Sequence, residues 1–422
     1  MSYLYHLLIG KKDIINGSLF SVFSFVNQGI SFVLLIILAK FILPDDYGRL
    51  SLFTTFVSLS GFFVAFQSSG YMSISYFQDE KDTFKENVTA IIELSFLSVF
   101  LLSIFLAFIL MFTDVDFGFP SYLLWVALCI SLCTSISNML LEYVRIKEKV
   151  VHYGIISCSN AFLNFILAIF FVVFLSKGWL GRVYSQYICS IIFLLLTVFV
   201  FYRKKLLKHR GAILRYKNLI LWGLPLIPHL ASAWIRQGCD RYIINFYHSP
   251  EDVGLFSFAL NLVSIITMIG SAFNATNSVS IYKILSDTTI MNKYSRLRKQ
   301  SKEILMIYFI STILVVLIVT FLVPLALPKY SGAMPYFFIL SFFGFLQCLY
   351  FLVCNYLFYY GKTKRLMLIT FSTSILHLML SLALTRYSLY STCVIYILIH
   401  MLVVYLVYRE SHCLLKKNLI QI

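Results

Sequence analysis

Long apolar runs separated by short polar segments make up nearly the whole chain. Crossing a hydrocarbon core takes about 20 apolar residues in helical form. Stretches of that length begin at 15–39, 50–70, 88–112 and 120–141 and continue through 153–175, 179–201, 219–243 and 253–275. The last four are 304–327, 333–358, 366–385 and 390–408, which makes twelve predicted spans. The segments expected on the outer side are short and leave no room for a domain there. Recognition must then occur within the membrane or at its two surfaces.

One part of this pattern is written twice. Pro44, Asp46, Gly48, Ser51, Val57 and Ser58 recur as Pro250, Asp252, Gly254, Ser257, Val263 and Ser264, all at an offset of 206 residues. That offset is close to half of the 422-residue chain, so a fused duplication is expected, with lobes at 1–210 and 211–422. The predicted fold class is an all-α integral membrane protein, twelve transmembrane helices in two six-helix repeats around a central cavity. Membrane proteins built from two like halves are most often transporters, with the substrate path between the halves. Ser249-Pro250-Glu251-Asp252 is also a helix start. Serine can cap, proline suits the first helical position, and acids favour the positive end of the helix dipole. Leu43-Pro44-Asp45-Asp46 is the same device without the capping side chain.

Composition places the chain in lipid. Hydrophobic residues make up 60% and charged residues 12%, where soluble domains carry roughly a quarter charged; mean hydropathy is +0.87. The net charge of +16 could suggest nucleic acid, but most of the 34 Lys and Arg fall on alternate connections, on the side holding the amino end. That asymmetry is a topology signal, with both termini cytoplasmic. Lys11 and Lys12 precede a long apolar run with no small-residue cleavage signal, which reads as a retained first span. The densest basic run, from Arg203 through Lys208 and Arg210 to Lys217, joins the predicted halves and reads as a solvated linker facing anionic head groups. The nine cysteines form no CxxC pair and are expected to be small packing residues.

Polar positions inside the spans are the candidate chemistry. Ser51, Thr55 and Ser58 recur as Ser257, Asn261 and Ser264, and the i, i+4, i+7 spacing puts each trio on one helical face. Ser24, Asn27, Gln28 and Ser31 form another face in the first span. Such stripes are either interhelical glue or the wall of a wet cavity. Their match in both halves favours a cavity lined by Asn27, Gln28, Ser51, Ser257 and Asn261. The stretch 219–243 carries His229, Arg236 and Asp240 within roughly 20° of one line on a helix, with Arg241 beside them. Arg236 and Asp240 are candidates for an i,i+4 ion pair, and His229 for a hydrogen-bonded core histidine. Charge at such depth is costly and usually faces a cavity, and Pro225 and Pro228 would kink this helix. Glu93 either snorkels to the interface or takes part in ion coupling, as Asp240 would.

No zinc spacing, nucleophile elbow or phosphate loop is present, so neither an enzyme nor a cofactor is expected. The run Trp222-Gly223-Leu224-Pro225-Leu226-Ile227-Pro228-His229, followed by Asp240-Arg241-Tyr242-Ile243-Ile244 and Pro250-Glu251-Asp252-Val253-Gly254-Leu255-Phe256-Ser257, resembles the seventh-to-eighth-span signature of polysaccharide flippases. Leu43-Pro44-Asp45-Asp46-Tyr47-Gly48 is similar to that family's first outer loop, and Tyr359-Tyr360-Gly361-Lys362-Thr363-Lys364 to its tenth-to-eleventh inner loop. These are the Wzx-type O-antigen translocases of the multidrug/oligosaccharidyl-lipid/polysaccharide exporter superfamily. The resemblance implies a MATE-like fold in the bacterial inner membrane. It implies a cargo of undecaprenyl-pyrophosphate-linked oligosaccharide, carried from the cytoplasmic to the periplasmic leaflet by alternating access. His229, Arg236 and Arg241 would match the pyrophosphate. Partners implied are membrane lipids, the O-antigen polymerase and the chain-length regulator, and no nucleic acid. A multidrug or cation antiporter shares the fold but would favour an acidic cavity. A polysaccharide polymerase would need a long outer loop.

Overall fold

The computed structural model describes residues 2–65, 68–208, 213–287 and 292–419; within these helices the side chains of 2–18 and of several further residues, among them Ser24, Pro225 and His229, lie outside that description. Every regular element among the described residues is a helix. In order they are α1 (Ser2–Phe41), α2 (Pro44–Ala65), α3 (Ser68–Gln78), α4 (Lys81–Phe112), α5 (Tyr122–Ile146), α6 (Val150–Ile169), α7 (Gly178–Arg203) and α8 (Ile213–Gly223). There follow α9 (Ile227–Gln237), α10 (Cys239–Tyr247), α11 (Pro250–Ser286), α12 (Lys293–Ala326), α13 (Met334–Tyr359), α14 (Thr363–Leu384) and α15 (Leu389–Leu419).

Among the described residues nine helices are long and apolar enough to cross a membrane. Their outward faces are greasy. On α4, Phe100, Phe108 and Met111 are exposed, and on α12 so are Phe321 and Leu325. Apolar patches of that extent belong against hydrocarbon, not water. The chain is a multi-pass membrane protein.

The predicted span 219–243 is not one helix. It breaks twice, at the 3₁₀ turn Leu224–Leu226 and at Gly238. Pro225 and Pro228 lack the N–H groups that would continue the backbone ladder across the first break. At the second, Gly238 N–H still reaches Trp234 O, while Arg241 N–H turns to Gly238 O. Within the predicted second span, residues 66–67 lie outside the described residues; α2 is described up to Ala65 before them and α3 from Ser68 after them.

The chain forms two compact units, Met1–Ile42 with Leu52–Ala231, and Leu43–Ser51 with Ser232–Ile422. The chain passes from one to the other within α9. The lobe boundary expected at 210/211 falls in 209–212, outside the described residues. In the first unit α5 packs on α4 and α7, α7 on α6, and α6 on α1. In the second, α13 packs on α12 and α15, α15 on α14, and α14 on α10. The two sequences of neighbours run in parallel. Met72, Val88, Ile91, Met139 and Phe201 centre one core of the first unit, and Leu357, Ile395, Ile399 and Val407 one of the second.

The first turn of α2 belongs to the second unit for a visible reason. Tyr47 is buried, with its ring edge-on to Phe258 and Tyr330 at 5.9 and 5.7 Å between centroids. Here the two copies of the repeated motif touch. A Cβ on Gly48 would lie 1.9 Å from Pro250 O, and one on Gly254 would lie 1.8 Å from Pro44 O. Each glycine therefore turns a Cα hydrogen onto the other copy's proline carbonyl, a close approach that no side chain permits. Ser249 caps α11 as expected, and Asp252 completes a capping box that the sequence reading did not name. Asp252 N–H donates to Ser249 Oγ at 3.1 Å, and Ser249 N–H to Asp252 Oδ2 at 3.2 Å. The nine thiols are all free.

Candidate functional site

The second unit carries its chemistry on the broken helices α9 and α10. Arg236 lies in the last turn of α9, half-buried, and its Nη1 donates to the Thr370 carbonyl on α14 at 3.0 Å. Arg241, just past the break, donates from Nε to Ser257 Oγ at 3.0 Å and from Nη1 to Gln237 O. Neither guanidinium forms an ion pair among the described residues. Both charges sit among apolar helices, bonded to neutral oxygens. A charged acceptor would bond either guanidinium more strongly than these neutral oxygens do.

The break at Gly238 changes the partner of Asp240. The sequence predicted an Arg236–Asp240 pair one turn apart on a continuous helix. Instead, Asp240 points into the unit, fully buried. Its Oδ1 accepts from Ser381 Oγ at 2.6 Å, and its Oδ2 lies 2.7 Å from His377 Nε2, both on α14. His400 on α15 donates from Nε2 to Gln347 Oε1 at 2.9 Å, and Ser374 Oγ donates to Ser232 O. A buried carboxylate held by a histidine and a hydroxyl has the groups needed to take up or pass on a cation.

The first unit builds a different site. Between α1, α6 and α7 lies a cavity of about 250 Å³ lined by Asn27, Ser31, Ser157, Asn160, Asn164 and Arg182. Asn27 Nδ2 donates to Ser157 Oγ, while its Oδ1 is buried with no hydrogen-bond partner. Arg182 donates to Asn164 Oδ1 and, at 3.1 Å, to Ser185 Oγ. Amides, hydroxyls and one guanidinium are the groups that read polyhydroxylated ligands.

Several predicted residues fall elsewhere. The side chain of His229 lies outside the described residues. Gln28 is exposed on α1. Glu93 accepts from Tyr216 Oη on α8, a tie to the linker helix in place of a simple snorkel. Ser51 and Ser257 are both buried, and Ser257 is engaged by Arg241. Asn261 donates to Tyr47 Oη at 2.7 Å. These stripe positions act as packing because the first turns of α2 and α11 lie against each other. The basic linker is also less free than predicted. Lys208 Nζ lies 2.8 Å from Asp82 Oδ2 and 3.5 Å from Glu86 Oε1, and Arg215 pairs with Glu86. The hydrogen bond to Asp82 is the main cause of a raised Lys208 pKa. Arg182, Asn160, Asn164, His377, Ser381 and His400 were not among the sequence candidates. The signal was present, since Arg182, His377 and His400 are ionisable groups inside apolar runs.

The arrangement has known counterparts. A Haemophilus influenzae protein of the Lsg locus is 25% identical over 84% of this chain and 87% of its own length. A membrane protein of the same organism is 24% identical over 52% of this chain and 55% of its own length. Among solved structures, the lipid II flippase MurJ in an inward closed conformation superposes with a TM-score of 0.75, at 13% identity over 95% of this chain and 91% of that one. An inward-facing multidrug resistance MATE transporter of the MOP superfamily superposes with a TM-score of 0.70, at 12% identity over 94% and 95%. These likenesses establish the fold. The family model described as polysaccharide biosynthesis protein matches residues 15–279, more than half of the chain, and the chain belongs to that family.

Proposed function

We propose that the protein is a flippase that carries an undecaprenyl-pyrophosphate-linked oligosaccharide, an O-antigen repeat unit, from the cytoplasmic to the periplasmic leaflet of a bacterial inner membrane. It does so by alternating access of twelve spans arranged as two six-helix repeats. The parallel order of neighbours in the two units supports the repeat. The observation that carries the cargo reading is Arg236, a membrane-embedded guanidinium bonded only to a carbonyl and without an ion-pair partner among the described residues. Arg241 adds a second such charge. A pyrophosphate head bears about two negative charges, and with the inside negative its outward movement gains on the order of 4–5 kcal/mol per 100 mV.

The amides around Asn27 supply hydrogen-bonding groups suited to sugar hydroxyls. Where a cation is coupled, Asp240 is the carboxylate placed to bind it, through His377 and Ser381. A multidrug or cation antiporter is the rival on the same fold. Uncompensated arginines disfavour cationic cargo.

The test is complementation in flippase-null cells. Arg236→Ala should abolish surface polysaccharide and leave lipid-linked repeat units inside, at unchanged membrane abundance. Arg236→Lys should recover little, because lysine cannot reproduce planar two-point contact with a phosphate. Normal polysaccharide from Arg236→Ala would end the binding role.

A further inference from the structure

One polar cavity is lined by neither Arg236 nor Arg241. It lies within the second unit, between the end of α11 and the start of α12, and holds about 1000 Å³. Three basic side chains line it: Lys283 from α11, and Arg296 and Lys299 from α12. None of the three forms an ion pair among the described residues. Asp287 and Glu303 also line the space, so the surplus is one positive charge. Phe273, Ile284 and Ile304 add apolar surface to its lining. From Phe273 to Asp287 the cavity follows α11 for roughly 20 Å, from apolar helix to polar surface.

One buried group points to a ligand. Asn277 lines this cavity and is 3% exposed. Its Oδ1 accepts from Gln300 Nε2 at 2.7 Å, which fixes the amide's orientation. Its Nδ2 is left buried with no partner. An unmet N–H at such a position is costly unless something accepts from it. An acceptor that also answers the three cations and tolerates the apolar residues beside them is an anionic oxygen on an amphiphile.

We propose that this cavity binds the phosphate head of a membrane amphiphile, with Asn277 Nδ2 and the Lys283, Arg296 and Lys299 side chains as its donors. The surplus charge matches a singly charged phosphodiester as well as one end of a diphosphate. Two sources share that chemistry, an isoprenoid diphosphate and a bulk anionic phospholipid. The site is distinct from the arginines of α9 and α10 and does not depend on their role in transport.

Binding of labelled farnesyl diphosphate to the full-length protein in phosphatidylcholine nanodiscs tests this. It is measured in the wild type and in Arg236→Ala, so that failure of the cargo reading leaves the result legible. Saturable binding should persist in Arg236→Ala. Adding Lys283→Gln, Arg296→Gln and Lys299→Gln should weaken it about tenfold, and Asn277→Leu alone about threefold. The first three are exposed, so folding survives their replacement and is checked by elution profile. Competition by unlabelled isoprenoid diphosphate alone assigns the site to that lipid class, and equal competition by phosphatidylglycerol assigns it to phospholipid heads. Either supports the proposal. Equal competition by inorganic pyrophosphate would overturn the amphiphile, and unchanged affinity in the triple-charge variant would overturn the site.

Discussion

The two copies of the repeated motif share a backbone and differ in what their side chains do. In both, a proline opens the helix, a glycine four residues on meets the other copy's proline carbonyl, and a serine three residues further is buried. Ser58 and Ser264, the last polar positions of the stripes, are both exposed, and each hydroxyl folds back on its own helix at Thr54 O or Asn261 O. Beyond that the copies part. Ser249 caps its helix where Leu43 cannot. Asn261 reaches across to Tyr47, whereas Thr55 at the matching position is buried. What the two copies have in common is the close approach of two helix starts. The polar side chains have taken individual partners.

The largest effect should follow from breaking the shared element. Gly48→Leu or Gly254→Leu drives a side chain into a proline carbonyl, and backbone cannot yield as a flexible side chain does. Either should cost at least about 3 kcal/mol and leave little folded protein in the membrane, read by abundance and protease resistance. Wild-type levels from either variant would show that the approach is incidental. Next in size is Ser257→Ala. It leaves the Arg241 Nε–H without its hydroxyl and should destabilise by about 2 kcal/mol, seen as a lowered thermal midpoint in detergent. A smaller, more specific effect is expected between the copies. A double-mutant cycle of Asn261→Ala with Tyr47→Phe should give a coupling of about 1 kcal/mol. Full additivity would mean that the hydrogen bond does not join them.

These side chains also mark where sequence reasoning stopped. Apolar runs set the helices, and the 206-residue repeat set the two helix starts, because both are local signals. The capping serine was legible for the same reason. Partners across elements were not. The i,i+4 spacing of Arg236 and Asp240 forms a pair only on an unbroken helix, and Gly238 breaks it. Asp240 then turns to His377 and Ser381, more than 130 residues away, which no local spacing encodes. The serine stripe shows a related limit of local spacing. Periodicity states which residues share a face, and only packing states whether that face meets water or another helix. Arg182 could have been found, since an arginine inside the stretch 179–201 carries the same warning as Arg236.

The smallest prediction turns the second copy's advantage onto the first. At α11 the N-cap serine and the third helical residue exchange two hydrogen bonds, so Ser249→Ala should cost about 1 kcal/mol. The first copy already has Pro44 at the first position and Asp46 at the third, and lacks only the capping hydroxyl. Leu43 is 56% exposed, so its replacement removes little packing. Leu43→Ser should therefore complete a capping box at α2 and stabilise by about 0.5–1 kcal/mol, raising the thermal midpoint. The double variant Leu43→Ser with Ser249→Ala should return close to wild type if the two helix starts are equivalent devices. A loss in Leu43→Ser would mean that the leucine is held at the membrane interface by contacts worth more than the cap, and that the copies differ in environment as well as in sequence.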